Sequence, residues 1–207
     1  MLTLPLGEIR DLNARAVRTS VEIVSAVDSA DLDRPTPCAE WTLGDLLAHM
    51  TAQHHGFAAA AAGDGGDLSH WQVHPLGDDA VEAYAAAAER VLAAFADARG
   101  LVEGFMLPEF TTSRTFPAAQ AIGFHFIDYV VHSWDVGRSL GRPVEFDPEV
   151  TDTALAMARA IPDGPGRLTA GAAFRPAVPA PGGAGELDQV MALLGRTPNW
   201  PDSAHRG

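Results

Sequence analysis

The chain has 207 residues and a mass of 21.8 kDa, enough for one domain with a small appendage and a buried core. With 47% apolar and 20% charged residues, its composition is that of an ordinary globular protein, not a disordered or membrane one. Fourteen basic residues, all of them arginine, against 27 acidic ones give a net charge of −13, which rules out lysine-based catalysis and argues against nucleic acid or an anionic membrane as partner.

Apolar positions at Ile9, Leu12, Ala16, Val17, Val21, Val24 and Val27 recur with helical period and predict a first long helix over about residues 7–30. Pro35 and Pro37 keep the next ten residues out of a helix, so the chain turns back there. This turn carries Cys38, the chain's single cysteine; a lone cysteine excludes an internal disulfide and a thiolate-built zinc site, and points to a reducing compartment. We therefore expect a cytoplasmic protein and a structural Cys38. Thr42, with Asp45 three residues on, forms a capping signature for a second helix over 42–62.

The glycine-rich stretch 63–77, with His70, Trp71 and His74, is expected to be a long surface loop able to cover a pocket mouth. Asp78 or Asp79 would cap a third helix over 80–98, which carries Tyr84, Val91, Leu92 and Phe95 on its apolar side. Residues 101–116 read as irregular around Pro108, with a short extended piece over 110–116. A fourth helix, the most apolar, starts near Pro117 and runs to Leu140, where Gly141 and Pro143 stop it. A fifth follows over 148–160, then a Pro/Gly-rich linker, an extended segment over 172–178 and a short helix over 186–194. The expected fold is all-α: a four-helix bundle over residues 1–142 with a small irregular C-terminal appendage over 143–207 packed on it.

The chemistry concentrates on the fourth helix. Asp128 and His132 leave one face a turn apart, and His125 lies one turn earlier on nearly the same stripe. A carboxylate and an imidazole among Phe124, Phe126, Ile127, Val130 and Val131 need a partner or a cation. Spacing alone leaves two readings open, a divalent metal or a simple Asp–His hydrogen bond. His49, two turns into the second helix beside Leu46, Leu47 and Met50, is placed to supply a third ligand from a facing helix. His54 and His55, turned roughly 140° and 240° from His49, are expected at the bundle mouth or in solvent.

The segment from Thr36 to His49, Thr-Pro-Cys-Ala-Glu-Trp-Thr-Leu-Gly-Asp-Leu-Leu-Ala-His, resembles the entry to the metal-bearing second helix of the DinB-like superfamily. Within it, the similarity is to the branch holding the N-terminal domain of mycothiol-dependent maleylpyruvate isomerase. Asp128-Tyr-Val-Val-His132-Ser-Trp-Asp135 resembles that branch's carboxylate-x-x-x-His-x-Trp-Asp motif, with Asp where the isomerase has Glu. The resemblance covers about residues 7–140, and Gly195-Arg196-Thr197-Pro198 extends it loosely. It implies His49, Asp128 and His132 as metal ligands, His125 as a catalytic acid/base or a group beside the ligands, and Asp135 as the group orienting His132.

The implied cofactor is a divalent metal, zinc first and nickel or iron as alternatives, with mycothiol as an external thiol. The implied activity is S-transfer or isomerisation on a small electrophilic substrate. The alternatives are metal-assisted hydrolysis or lysis of a small molecule and a non-catalytic metal-binding bundle. If His125 instead closed the metal sphere as a fourth ligand, the site would be structural. Arg90, Arg114 and Arg138 are the candidates for holding an anionic substrate, and Trp41 and Trp134 are expected to pack the bundle near the site. The protein is expected to be a monomer or homodimer.

Overall fold

The computed structural model describes residues 4–38, 41–77, 79–97, 104–169 and 172–201. Four long helices, α1 (Leu6–Val24), α2 (Leu43–Ala61), α3 (Ala80–Ala96) and α4 (Ala118–Leu140), precede α5 (Pro148–Ala160) and the short α6 (Glu186–Leu193). Among the described residues no strand forms, only single antiparallel bridges joining Pro35 to Thr42 and Phe105 to Phe116. The all-α class expected from the periodicity is the one observed.

The local reasons are legible at the helix ends. Thr42 accepts a hydrogen bond from the Asp45 amide while the Asp45 carboxylate accepts from the Thr42 amide, a reciprocal box that starts α2 at a fixed residue. Gly141, at φ 67°, takes the left-handed conformation that closes α4 and lets the Arg142 amide bond back to the Gly137 carbonyl. Asp147 caps α5 through the Val150 amide, with Pro148 in the first turn, where a missing N–H costs nothing.

In the bundle α1 packs chiefly along α4 and α2 along α3, with α1 against α3 and α2 against α4 completing the square. One end of the core holds Val17, Leu43, Leu46, Leu47, Met50, Tyr84 and Tyr129. The larger cluster runs from Ile9, Leu12 and Phe57 through Phe126 and Val130 to Val150, Met157, Val190 and Met191 of α5 and α6, so the C-terminal helices share an apolar cluster with the bundle. Each such large aliphatic side chain contributes about 1.5–3 kcal/mol when fully buried.

Several boundaries differ from expectation. The first helix stops at Val24, short of residue 30, because extended Asp28 opens its own capping box with Asp31 and starts a 3-10 turn. The extended piece expected over 110–116 is a turn after Leu107, closed by the Phe105–Phe116 bridge. No strand forms over 172–178: Pro176 and Pro179 remove donors, and the Val178 amide bonds to Ala192 of α6 instead of a neighbouring strand. The expected cap Asp78, the helix end at residue 98 and residues 101–103 of the irregular stretch lie outside the described residues. The glycine-rich loop is anchored in the core. It forms a 3-10 turn at Leu68–Trp71, and the Trp71 indole lies so close to Gly56 of α2 that a Cβ there would fall 2.2 Å from the ring.

Candidate metal centre

His49 on α2 and Asp128 and His132 on α4 come together as the sequence anticipated: their ligand atoms all lie within 4.8 Å of one another. The one-turn spacing on α4 sets Asp128 Oδ1 3.3 Å from His132 Nε2. The His49 ring stands edge-on to His132, with centroids 5.5 Å apart. His132 is buried, whereas a quarter of the Asp128 side chain (26%) remains open to solvent, so the group has one accessible side.

The other nitrogen of His132 is engaged. Its Nδ1 lies 3.0 Å from Asp135 Oδ2, one turn further along α4. Asp135 is wholly buried and is gripped by Arg196, whose Nε and Nη2 both donate to it at 3.0 Å. Burial alone would raise the Asp135 pKa, but Arg196 and His132 hold it well below the usual carboxylate range. The Cys38 thiol also donates to Asp135 Oδ2, at 3.0 Å, while burial and that carboxylate push its pKa up. Cys38 is therefore a protonated donor, as its structural assignment requires, and not a thiolate nucleophile.

These contacts test whether a cation fits. Asp135 fixes Nδ1 of His132 as the N–H nitrogen, which leaves Nε2 with a lone pair facing the Asp128 carboxylate and the His49 ring. Lone pair against carboxylate is repulsive unless a proton or a metal cation lies between them. Burial opposes a charge on His132, but Asp128 and Asp135 together raise its pKa well above the ordinary value. Burial, reinforced by His132 and opposed by Asp128, pulls His49 down to about 4, so it is a neutral imidazole with a free lone pair. Two imidazole nitrogens and a carboxylate oxygen with one open side form a donor set that suits zinc, nickel or iron.

His125 is placed elsewhere. It is completely buried, with Nδ1 2.7 Å from Asn13 Oδ1 and Nε2 3.2 Å from His54 Nδ1, so both ring nitrogens are engaged away from the donor group. His54 is also fully buried, stacked on Tyr129, contrary to its expected place at the mouth or in solvent; only its neighbour His55 is half-exposed. The reason is that α2 is enclosed on nearly all sides, Met50, Thr51, Ala52 and Gln53 included, so a different face of it is still core.

The loop 63–77 contributes no described residue to the donor group: His70 pairs with Asp64 at 2.9 Å and Trp71 is core. Arg138 lies over Trp134 and Arg114 over Phe116, and neither joins the donor group. Trp134 packs in the core as expected, whereas Trp41 is exposed (38%) with its ring 4.9 Å from that of His49.

Two features escaped the sequence reading. Gln53, one turn beyond His49, donates to Glu109 Oε1 at 2.8 Å, and burial together with the nearby Asp128 charge raises the Glu109 pKa. The i, i+4 spacing of His49 and Gln53 was the available signal. Arg196, quoted only as part of a Gly-Arg-x-Pro stretch, closes the Asp135 network from an irregular segment in which no periodicity could place it.

Comparison with known proteins follows the same lines. The model of the mycothiol maleylpyruvate isomerase N-terminal domain family matches residues 14–137. The uncharacterized proteins MT0763 and Rv0738 of Mycobacterium tuberculosis are each 31% identical over 188 residues, covering 88% of this chain and 94% of their own. Crystal structures of the mycothiol-dependent maleylpyruvate isomerase and of a histidine-to-alanine mutant align with TM-scores of 0.58 and 0.59 at 18% identity, over 76% of this chain and 72% of theirs. At that identity the likeness speaks for the shared helical fold.

Proposed function

Because the chain belongs to the mycothiol maleylpyruvate isomerase N-terminal domain family, we propose that it binds a divalent metal and works with a thiol, mycothiol first, on a small electrophilic substrate. The observation that carries this reading is the convergence of His49, Asp128 and His132 around one half-open point. A divalent metal held there would bind a thiol sulfur and lower its pKa, supplying a nucleophile at neutral pH. Zinc is the first choice, nickel or iron the alternatives.

The protein's own groups have separable roles. Asp135 holds the His132 ring in the orientation that aims Nε2 at the ligand point, and Arg196 keeps that carboxylate ionised in a buried setting. Cys38 stays a thiol, so the reacting sulfur comes from outside the chain. Glu109, which accepts from Gln53 and whose pKa is raised by desolvation and by the Asp128 charge, is the side chain assigned to exchange a proton with a substrate beside Asp128. His125, with both nitrogens tied up in the core, supports the packing beneath Tyr129 and does not exchange protons with substrate.

The reading is tested by assaying purified, metal-loaded protein for maleylpyruvate isomerisation with mycothiol present and absent. Turnover that requires the thiol and falls at least tenfold in Glu109→Gln, with metal content unchanged, supports it. Turnover of small esters or amides without any thiol would replace it with metal-assisted hydrolysis.

A further inference from the structure

A second site lies on the opposite side of α4 from the metal centre. Trp134 is two residues beyond His132 and Arg138 six, which turns them about 200° and 240° around the helix from that ligand. There, where α4 ends against the chain's last described turn, a cavity of about 430 Å³ opens, within the range of small-ligand pockets.

Its walls are of two kinds. Trp134 and Trp200 supply aromatic surface, and Val144 and Leu187 add aliphatic surface. Trp134 is almost entirely buried (4% exposed), and neither indole N–H is bonded to a described residue. Arg138 lies over the Trp134 ring, with its guanidinium carbon 4.9 Å from the centroid, and donates to the Pro198 carbonyl. Arg142, also lining the cavity, is exposed, and its guanidinium has no hydrogen-bond or ion-pair partner among the described residues.

The rim is built, not loose. Val144 sits over Gly137 so closely that a Cβ at Gly137 would lie 2.4 Å from its methyl, and the Arg142 amide is 2.8 Å from the Gly137 carbonyl. On a chain of net charge −13, an uncommitted guanidinium in an aromatic-lined cavity selects an anion with a flat apolar body. Asp188, 3.8 Å from Arg138, lines the same cavity and disfavours a multiply charged ligand such as a phosphate ester.

We propose that this cavity is a binding site for an aromatic monocarboxylate, its ring against Trp200 and the aliphatic wall and its carboxylate on Arg142. The site is separate from the metal centre and does not depend on the function proposed for it.

Benzoate is the probe, titrated against the full-length protein by ligand-observed NMR and tryptophan fluorescence, with benzyl alcohol and inorganic phosphate alongside. Saturable benzoate binding is expected in the wild type and in His49→Ala. Binding should weaken at least tenfold in Arg142→Ala, an exposed substitution that leaves the fold intact, and at least tenfold on changing benzoate to benzyl alcohol or phosphate. Absence of saturable binding, equal affinity in Arg142→Ala, or phosphate binding as well as benzoate would overturn the proposal. Loss of benzoate binding in His49→Ala would also overturn it, by moving the ligand to the metal centre.

Discussion

At the scale of single residues the decisive group is Asp135, because it sets which nitrogen of His132 is free. Replacing it with Asn keeps the volume but removes the charge that holds Nδ1 as a donor and that Arg196 neutralises. Loss of such a supporting group typically costs 10–100-fold in metal affinity, so Asp135→Asn should bind zinc about that much more weakly in a competition titration with a chromogenic chelator. Unchanged affinity would mean that His132 is oriented by packing alone.

The buried pair His54 and His125 makes a second residue-level prediction. Burial, and for His54 the neighbouring histidines, holds His54 well below its ordinary pKa; burial, against the pull of Asp128, holds His125 at about 3. In the folded state both stay neutral while in the unfolded chain they titrate near 6.5. The unfolded state therefore binds more protons below that pH, and stability present above about 6.5 is lost as the pH falls below it, at about 1.4 kcal/mol per pH unit for each histidine that stays neutral in the folded state, down to about 3 for His125. Urea unfolding at pH 6 and pH 5 checks this, together with imidazole NMR shifts that leave both rings neutral at pH 5. Stability that does not fall over this range would contradict it.

At the scale of elements, α2 shows both what a sequence can reveal and where it stops. The Thr42–Asp45 box and the Leu46, Leu47 and Met50 stripe place the helix and turn His49 inward, and the structure repeats both. His54 was misplaced because angular separation implies solvent only for a helix with one wet face, and α2 is buried almost all round. The Asp128 and His132 pair was legible from helical spacing, whereas His49, on a different helix, joined it through its inward stripe and the family resemblance. The Asp135–Arg196 pair spans 61 residues into an irregular segment and had no periodic signal. The same helix offers a stability test: Gly56→Ala puts a methyl where the Trp71 ring lies, and overpacking of this kind costs about 1–3 kcal/mol. Thermal unfolding should show a Tm lowered by several degrees, with Trp71→Ala/Gly56→Ala less than additive over the single variants.

At the scale of the whole molecule, the segment after the bundle is tied to the site. Arg15 of α1 pairs with Asp147 and Glu149 at the start of α5, but that contact is exposed and worth little. The Arg196–Asp135 pair is buried on both sides, and removing one partner of such a pair costs about 3–5 kcal/mol. Arg196→Met should therefore destabilise the protein by that order in urea titrations, and adding Asp135→Asn should recover part of the loss. Full additivity would mean the two residues act independently.

The account's central claim is that α2 and α4 jointly hold one divalent cation, and metal stoichiometry tests it most directly. Purified wild type and the His49→Ala, Asp128→Ala and His132→Ala variants would be loaded with zinc, desalted and analysed by plasma mass spectrometry, with circular dichroism on the same samples. The account predicts one metal per wild-type chain and its loss in each variant with helicity retained. A wild-type chain without metal, or variants that keep full occupancy, would contradict it.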